Sequence, residues 1–513
     1  MRRRVSTACV LIASLIFSAC SSAAPGSPSP GAQSAEAPSN LADTMVIAVA
    51  DAPSHLDRQI FAGSSGLVNV MLGYNVAETL FKTSPEGDPT PYLAESWEVT
   101  EPGTMRFKLR EGVTFSDGEP WNADAAKVNF DRMMTLEGGA WKNEFETVNE
   151  VTVVDEYTID IAHDPDPAFP KYFNLVARMF SPKQIQEAPD SIATGPIGTG
   201  AYTVTSFDAN GLVLEARDDY WGKTPSLKNV TFVFRPEPGA RVAMLLAGEA
   251  DLILDLQPDD VGQLDPSQVV PGVGFETYTL RYGFDDELTS DPRIREAINL
   301  AIDREQLLQL FSGYADLPDG NQLWPSWVTG WAERPAVPFD RARATALVEE
   351  AGATGKELEL GTGVGRWLYM GEVAEAVAAM IEQTGLEVSL FKGTHDYYKE
   401  QARVLEPAIP GLFGAMGWEN GEALENISSK LTCNSEQSTY CNEEFVALAL
   451  EARAEPDPEK RTVLVQQLVD ILDEDLPYSP LLTPQILYGK NPNLTFTFLP
   501  GGLLSLPDME LAR

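Results

Sequence analysis

The chain reads as an α/β protein built from two lobes, and three features of the sequence carry that reading. Its 513 residues far exceed the ~100–200 of one typical domain. Strand-like and helix-like stretches alternate along it without a sequence repeat, the mixed pattern of an α/β architecture. A helix–strand unit in the second half also parallels elements of the first, as two lobes of similar size require.

The first residues read as an export signal rather than as part of the fold. Arg2, Arg3 and Arg4 form a basic start, Val10 to Phe17 a short apolar run, and Ser18-Ala19 supply small residues before Cys20. That apolar run is far shorter than the ~20 residues a membrane-spanning helix needs. Ser21 to Asn40, SSAAPGSPSPGAQSAEAPSN, is rich in Ser, Pro, Ala and Gly. It is too poor in large apolar residues to build a core and is predicted to be a disordered tether. Its ends would lie roughly 25 Å apart.

After the tether, MVIAVA (Met45 to Ala50) has the continuous apolar character of a buried strand. Phe107 and Leu109 alternate with Arg106, Lys108 and Arg110, and Val113 and Phe115 continue the alternation of a half-buried strand. Ser116-Asp117-Gly118 supplies a turn. Asn122 then caps a helix with Ala126, Phe130 and Met133 on its apolar side. Asp291-Pro292 opens another helix, with Ile294, Ala297, Ile298 and Ala301 on one face. Asp303 caps the next, with Gln306 as its capping-box partner. Val373, Val377, Met380 and Ile381 mark the inner side of a third, which ends near Gly385. Leu386, Val388 and Leu390 then alternate as a strand. Gly198-Thr199-Gly200, Tyr74 and Asn75 read as structural.

Formal charge is −39, from 37 basic and 76 acidic side chains. That balance argues against nucleic acid and against adsorption to an anionic membrane. The three histidines, His55, His163 and His395, are far apart, and no HExxH, CxxC or GxSxG string occurs. Zinc-site and serine-hydrolase signatures are therefore missing, and neither a cofactor nor an enzyme is expected. Gly361, Gly363 and Gly365 do not make GxGxxG. Of the four cysteines, Cys9 leaves with the signal. Cys433 and Cys441, eight apart in CNSEQSTYC, suit a disulfide in an exported protein better than a metal site.

Several longer strings resemble one family in order and spacing. They are PYLAESWEV and LREGVTFSDGEPW between Pro91 and Trp121, the LDRQ region, PIGTGAYTV from Pro196, and ARDDYWGKTPSLKNVTF from Ala216. LLAGEADLI from Leu245, DPRIREAINLAIDREQLL from Asp291, STYCNEEF and DEDLPYSPLL follow. Together they are similar to the family 5 solute-binding proteins of ABC importers, over residues 44 to 490. The resemblance implies a two-lobed periplasmic-binding-protein-like fold of the cluster C type. Lobe one would comprise 41–280 plus 490–513, with an extra subdomain at 85–195, and lobe two 281–489. Residues 1–19 would be the signal peptide and 20–40 the tether.

The same resemblance implies a lipid-anchored monomer on the extracellular face of the plasma membrane, or in the periplasm. IFSAC resembles a lipobox in which Cys20 is acylated, although Phe17 stands where leucine is usual. The protein would hold a peptide-like solute between its lobes and deliver it to a permease. A nickel chelate, an opine-type metallophore or an oligosaccharide is the alternative ligand. Arg366 falls where dipeptide-binding members hold the ligand carboxylate, and a surface arginine is the competing reading. Trp418 and Glu419 lie in a segment that enters the cleft in relatives, with Glu422 the other acid to set against a ligand ammonium. Trp141 and Arg178 resemble cleft positions of the nickel-binding members. Ser64 and Ser65 lie on a loop that lines the cleft in relatives. GLFGAMGW has no histidine where nickel binders supply one, which disfavours direct metal ligation.

Overall fold

Met45, Ile47 and Val49 pack into one apolar cluster and Val46 and Ala48 into another on the opposite side. A strand buried on both faces belongs inside a covered sheet, as the apolar run predicts. In a computed structural model of the chain, the described residues are 41–60, 70–85, 87–136, 148–164, 169, 171, 177–403, 409–418, 421–433, 435 and 437–513. The signal, the tether and Cys20 lie outside them.

The buried strand is β1 (Thr44–Val49). It sits centrally in a seven-stranded sheet ordered β12 (Val269–Gly272), β19 (Ile486–Lys490), β11 (Leu252–Ile253), β1, β10 (Asn229–Phe234), β9 (Gly211–Ala216) and β8 (Tyr202–Asp208). Strand β1 runs parallel to both β10 and β11. The C-terminal stretch returns to this lobe through β20 (Leu494–Thr495) paired with β21 (Glu510–Leu511), and buries Leu504, Leu506 and Met509 in its core. Gly198 and Gly200 press against the backbone of residues 75–77. A Cβ on Gly198 would lie 2.1 Å from the Val76 carbonyl oxygen, and one on Gly200 2.4 Å from that of Asn75. Those glycines are structural because two backbones touch there.

A separate four-stranded antiparallel sheet follows the order β4 (Ala94–Glu101), β5 (Thr104–Leu109), β7 (Thr158–His163), β6 (Val148–Asp155). A small hairpin, β2 (Phe81–Thr83) with β3 (Pro89–Pro91), leads into it. The helix Ala123–Thr135 covers it, with the Asn122 side chain accepting from the Ala125 amide at 2.9 Å and Ala126, Phe130 and Met133 buried. Val113 and Phe115 are buried as their alternation predicts, but between them Thr114 makes only an isolated bridge to Pro120. The Ser116–Gly118 turn folds the chain back before a strand can extend.

Lobe two is a six-stranded sheet ordered β14 (Ala315–Asp316), β18 (Tyr478–Pro484), β13 (Glu276–Tyr282), β17 (Gly411–Gly417), β15 (Glu357–Val364), β16 (Glu387–Thr394). Strand β15 is parallel to β16 and β17. The helices Pro292–Ala301 and Met370–Glu382 bury their predicted apolar faces against it. The Asp303 carboxylate accepts from the Gln306 amide, but the Asp303 amide faces Met380 sulfur, so the capping box is half formed. Cys433 and Cys441 form a disulfide.

Sheet membership places the chain crossings a few residues from where they were expected. Strand β13 starts at Glu276 in the lobe-two sheet, and β19 starts at Ile486 in the lobe-one sheet. The crossings are therefore 273–275 and Gln485 rather than 280 and 490. Gly274 lies within the first crossing and Pro484 directly precedes the second, so the sequence does mark the switches, by single turn residues.

Ile47 is fully buried at the centre of the lobe-one sheet. Ile47→Ala is expected to destabilise the protein by about 2–5 kcal/mol through lost transfer energy and a residual cavity. Exposed Thr44→Ala at the start of the same strand should stay within about 0.5 kcal/mol. Denaturant titration of both variants against wild type checks the contrast.

Candidate functional site

In open α/β sheets, ligand sites form beyond the carboxyl ends of parallel strands, where the chain leaves for opposite faces. Both lobes of this protein bring such ends to one place. Asp51 follows β1, Pro236 and Pro238 follow β10, and Asp255 follows β11. Across from them, Gly365 to Gly371 follow β15 and Lys392 lies near the end of β16. These residues line one cleft of about 760 Å3. A smaller recess of about 180 Å3 adjoins it and shares Asp255, Gln257 and Arg366, with the crossing residues Phe275, Glu276, Pro484 and Gln485 in its wall. The cleft floor is thus the hinge itself.

Arg241 fixes the lobe-one side. It is buried, and its guanidinium donates to the carbonyls of Arg235 (2.7 Å), Pro236 (2.9 Å), Leu254 (3.1 Å) and Asp255 (2.8 Å). Those carbonyls belong to the loops after β10 and β11, so one side chain clamps both. Desolvation lowers its pKa, but an arginine remains charged. With its nitrogens so engaged, Arg241 is a scaffold for the cleft rather than a ligand grip.

Asp255 takes a left-handed backbone conformation, φ 54°. Its carboxylate makes no hydrogen bond or ion pair among the described residues, although its side chain is open to the cleft. Enclosure by surrounding protein desolvates the carboxylate and raises its pKa. Arg241 opposes that rise, Asp51 adds to it and Arg366 opposes it.

Arg366 lies on the opposite wall, 48 % exposed. Its Nη2 donates to Glu276 Oε1 at 2.7 Å and Nη1 to Oε2 at 3.5 Å, while Trp367 Nε1 donates to the same Oε1 at 3.2 Å. The Arg366 Nε makes no hydrogen bond among the described residues, so the guanidinium is oriented by Glu276 yet keeps a free edge. Lys392 is paired with Glu375. At the cleft edge Tyr369 Oη donates to Asp259 Oδ2 at 3.0 Å, a direct bond between lobes. Burial, then that carboxylate, push the Tyr369 phenol up to about 12.

Other sequence-predicted residues fall elsewhere. Trp418 follows β17 but is 1 % exposed, packed edge-on against Trp324 in a lobe-two core cluster. Its amide donates to the Phe275 carbonyl at 2.7 Å, and its indole lies in that cluster and not among the residues lining the cleft described above. Glu422 is equally buried and ion-paired with Arg461 at 3.1 Å, so it is unsuited to a ligand ammonium. Arg178 is 1 % exposed in lobe one, its guanidinium 5.3 Å from the Tyr74 ring centre and 3.4 Å from the Ala77 carbonyl. It does not line the cleft described above, and its Nε and Nη2 have no hydrogen-bond partner among the described residues. Ser64, Ser65, Trp141 and Glu419 lie outside the described residues. Asp51, Asp255, Tyr369 and Lys392 were not anticipated. The one signal that could have found Asp255 is its place directly after the apolar run Leu252–Leu254.

Comparison with known proteins identifies the frame. The family model for bacterial extracellular solute-binding proteins, family 5 Middle, matches residues 88–428, and the chain belongs to that family. The glutathione-binding protein GsiB of Salmonella typhi is 26% identical over 445 residues, covering 82% of this chain and 85% of its own. DppA from Helicobacter pylori, solved in complex with the peptide STSA, superposes with TM-score 0.74 at 20% identity, covering 92% of this chain and 98% of that one. NikA from Brucella suis, in complex with Fe(III)-EDTA, gives TM-score 0.80 at 23% identity over 91% and 99%.

The raised pKa of Asp255 carries a stability consequence. Its folded-state pKa lies above the ordinary value of 3.8, so the folded protein binds the extra proton in the window between the two. Stability therefore falls as pH rises from about 3.8 through the folded value, and the full penalty stands at neutral pH. Asp255→Asn removes the penalised charge, and asparagine tolerates the left-handed backbone. The variant should melt higher than wild type at pH 7, with the gain shrinking towards pH 4. Thermal melts at both pH values check the sign.

Proposed function

We propose that this family 5 member is a lipid-anchored extracytoplasmic receptor that closes on a small peptide or peptide-like solute and delivers it to an ABC permease. The observation that carries the reading is the cleft at the hinge, where an arginine with a free edge on one lobe faces an unpaired aspartate on the other. A solute with both charges matches that wall. Binding between two lobes favours the closed form, because only that form makes both sets of contacts. No catalytic step is assigned to the protein. The peptide seen with DppA and the ligand named for GsiB support this class. A metal chelate presenting carboxylates would use Arg366 in the same way and is the second reading, supported by the Fe(III)-EDTA complex of NikA.

Native mass spectrometry of the purified protein for a co-purified solute, followed by calorimetry, tests the reading. A charge-assisted hydrogen bond is worth about 1.5–3 kcal/mol, so Arg366→Ala should weaken the solute roughly ten- to over a hundredfold. Arg366→Lys should recover only part, since lysine lacks the planar fork. Binding within twofold of wild type for the alanine variant would remove Arg366 from the site.

The anchor is a separate proposal. An acylated Cys20 would hold the protein at the membrane, each buried methylene adding about 0.8 kcal/mol. Cys20→Ala should move the protein from the membrane fraction to the soluble fraction. A variant that stays with the membrane would contradict the anchor.

A further inference from the structure

We propose that Trp327 and Thr329 of lobe two form a brace across the hinge, tying lobe two to the first chain crossing and to the β2–β3 turn of lobe one, and so limiting how far the lobes rotate. The brace belongs to the frame around the cleft and holds whichever solute the cleft receives.

The strip that carries both residues is anchored in lobe two. Trp327 packs against the cluster that contains Trp324 and Trp418. The Thr329 amide donates to the Gly421 carbonyl at 3.0 Å, and Thr329 forms an isolated parallel bridge with Glu422, whose carboxylate is paired with Arg461 at 3.1 Å. From that base the strip reaches out at three points. The Trp327 indole Nε1 donates to the Gly274 carbonyl, inside the first crossing, at 3.0 Å. Gly87, in the turn between β2 and β3, lies beside the same ring, where a Cβ would sit 3.8 Å from Cε3. The Thr329 hydroxyl accepts from Lys171 Nζ at 2.6 Å, and that ammonium is 3.9 Å from Asp88 of the same turn.

The first crossing in turn touches the approach to the second. A Cβ on Gly274 would lie 2.3 Å from the Pro484 carbonyl oxygen and 2.7 Å from Thr483 Cγ2. Holding Gly274 therefore steadies both segments that must twist when the lobes rotate. The other two contacts join the lobes directly. Rotation changes the distances from Trp327 to Gly87 and from Thr329 to Lys171, so each contact survives over only a limited range of lobe angles. Removing one lets the ensemble spread beyond that range.

Distance measurement between spin labels, by pulsed electron resonance without ligand, tests the brace. The labels sit on the mature chain with Cys20→Ala, at Ser206→Cys in lobe one and Gln467→Cys in lobe two, both exposed positions; Cys433 and Cys441 are engaged in their disulfide. Trp327→Phe keeps a ring but loses the N–H, and Thr329→Val removes the acceptor of Lys171 at nearly constant volume. Trp331→Phe is the control, because its indole donates at 2.8 Å to Asp319 within lobe two. It loses the same kind of bond as Trp327→Phe, so stability alone cannot tell the two apart. The distance distribution should broaden or shift in Trp327→Phe and Thr329→Val and match wild type in Trp331→Phe. Distributions that match wild type in both brace variants overturn the proposal. An equal change in Trp331→Phe also overturns it, since that marks general loosening. Where the two brace variants disagree, or Trp327→Phe folds poorly, Thr329→Val decides, because the one side-chain bond it loses runs between lobes.

Discussion

The clamp made by Arg241 is the interaction on which the rest of the cleft depends. One buried guanidinium satisfies carbonyls from the loops after two strands that flank β1 on either side. Buried carbonyls without donors carry a penalty of about 1–3 kcal/mol each, so the loops hold their shape only while the arginine is in place. The clamp also explains the backbone of Asp255. Its carbonyl is drawn to Arg241, which turns the residue into the left-handed region and leaves its side chain towards the cleft. Left-handed backbone in a residue other than glycine persists only where its surroundings impose it.

Charge organisation follows from the same frame. The sequence carries −39 overall, and of the cations lining the cleft Arg241 is satisfied by carbonyls and Lys392 is paired with Glu375, while Arg366 keeps a free edge. Asp51 and Asp255 both line the lobe-one side of the cleft, and desolvation first, with Asp51 adding to it against Arg241 and Arg366, raises the pKa of Asp255. Beyond about 8–10 Å salt screens most of the remaining surface charge. Inside a concave site the screening is weaker, so a solute with a cationic group is favoured over a purely anionic one. That bears on the two ligand classes, because a chelate dense in carboxylates would meet both aspartates.

Much of the fold was legible because its signals are local. Asn122, Asp291 and Asp303 each accept from an amide in the first turn of the helix they precede. The alternation of Phe107 and Leu109 became buried strand positions, and β1 is buried on both faces as its unbroken apolar run requires. The site was legible only in part. Arg366 lies on the cleft wall, but its partner Glu276 is 90 residues away and no local pattern connects them. Trp418 carries the right dipeptide in the right order, yet its ring is buried against Trp324, more than 90 residues away in sequence, which no local pattern announces. Asp255 became a site residue through strand direction: β11 runs parallel to β1, and that is a property of topology which a two-residue strand cannot announce.

The position of the recess also bears on how closure is driven. Phe275 and Gln485 are the crossings, so a group bound beside them acts close to the rotation axis and cannot gain leverage from distance. It must act through strength, and two opposite charges bridging the lobes in a partly desolvated recess supply that strength more readily than neutral hydrogen bonds. The outer edge works differently. Tyr369 and Asp259 meet there at 3.0 Å, a contact between lobes that opening would break. A single exposed bond of about 0.5–1.5 kcal/mol biases the closed form several-fold without locking it, leaving the balance to be decided at the hinge floor. On the proposed receptor reading, a ligand shifts the balance between lobes only by its differential contacts with the two forms.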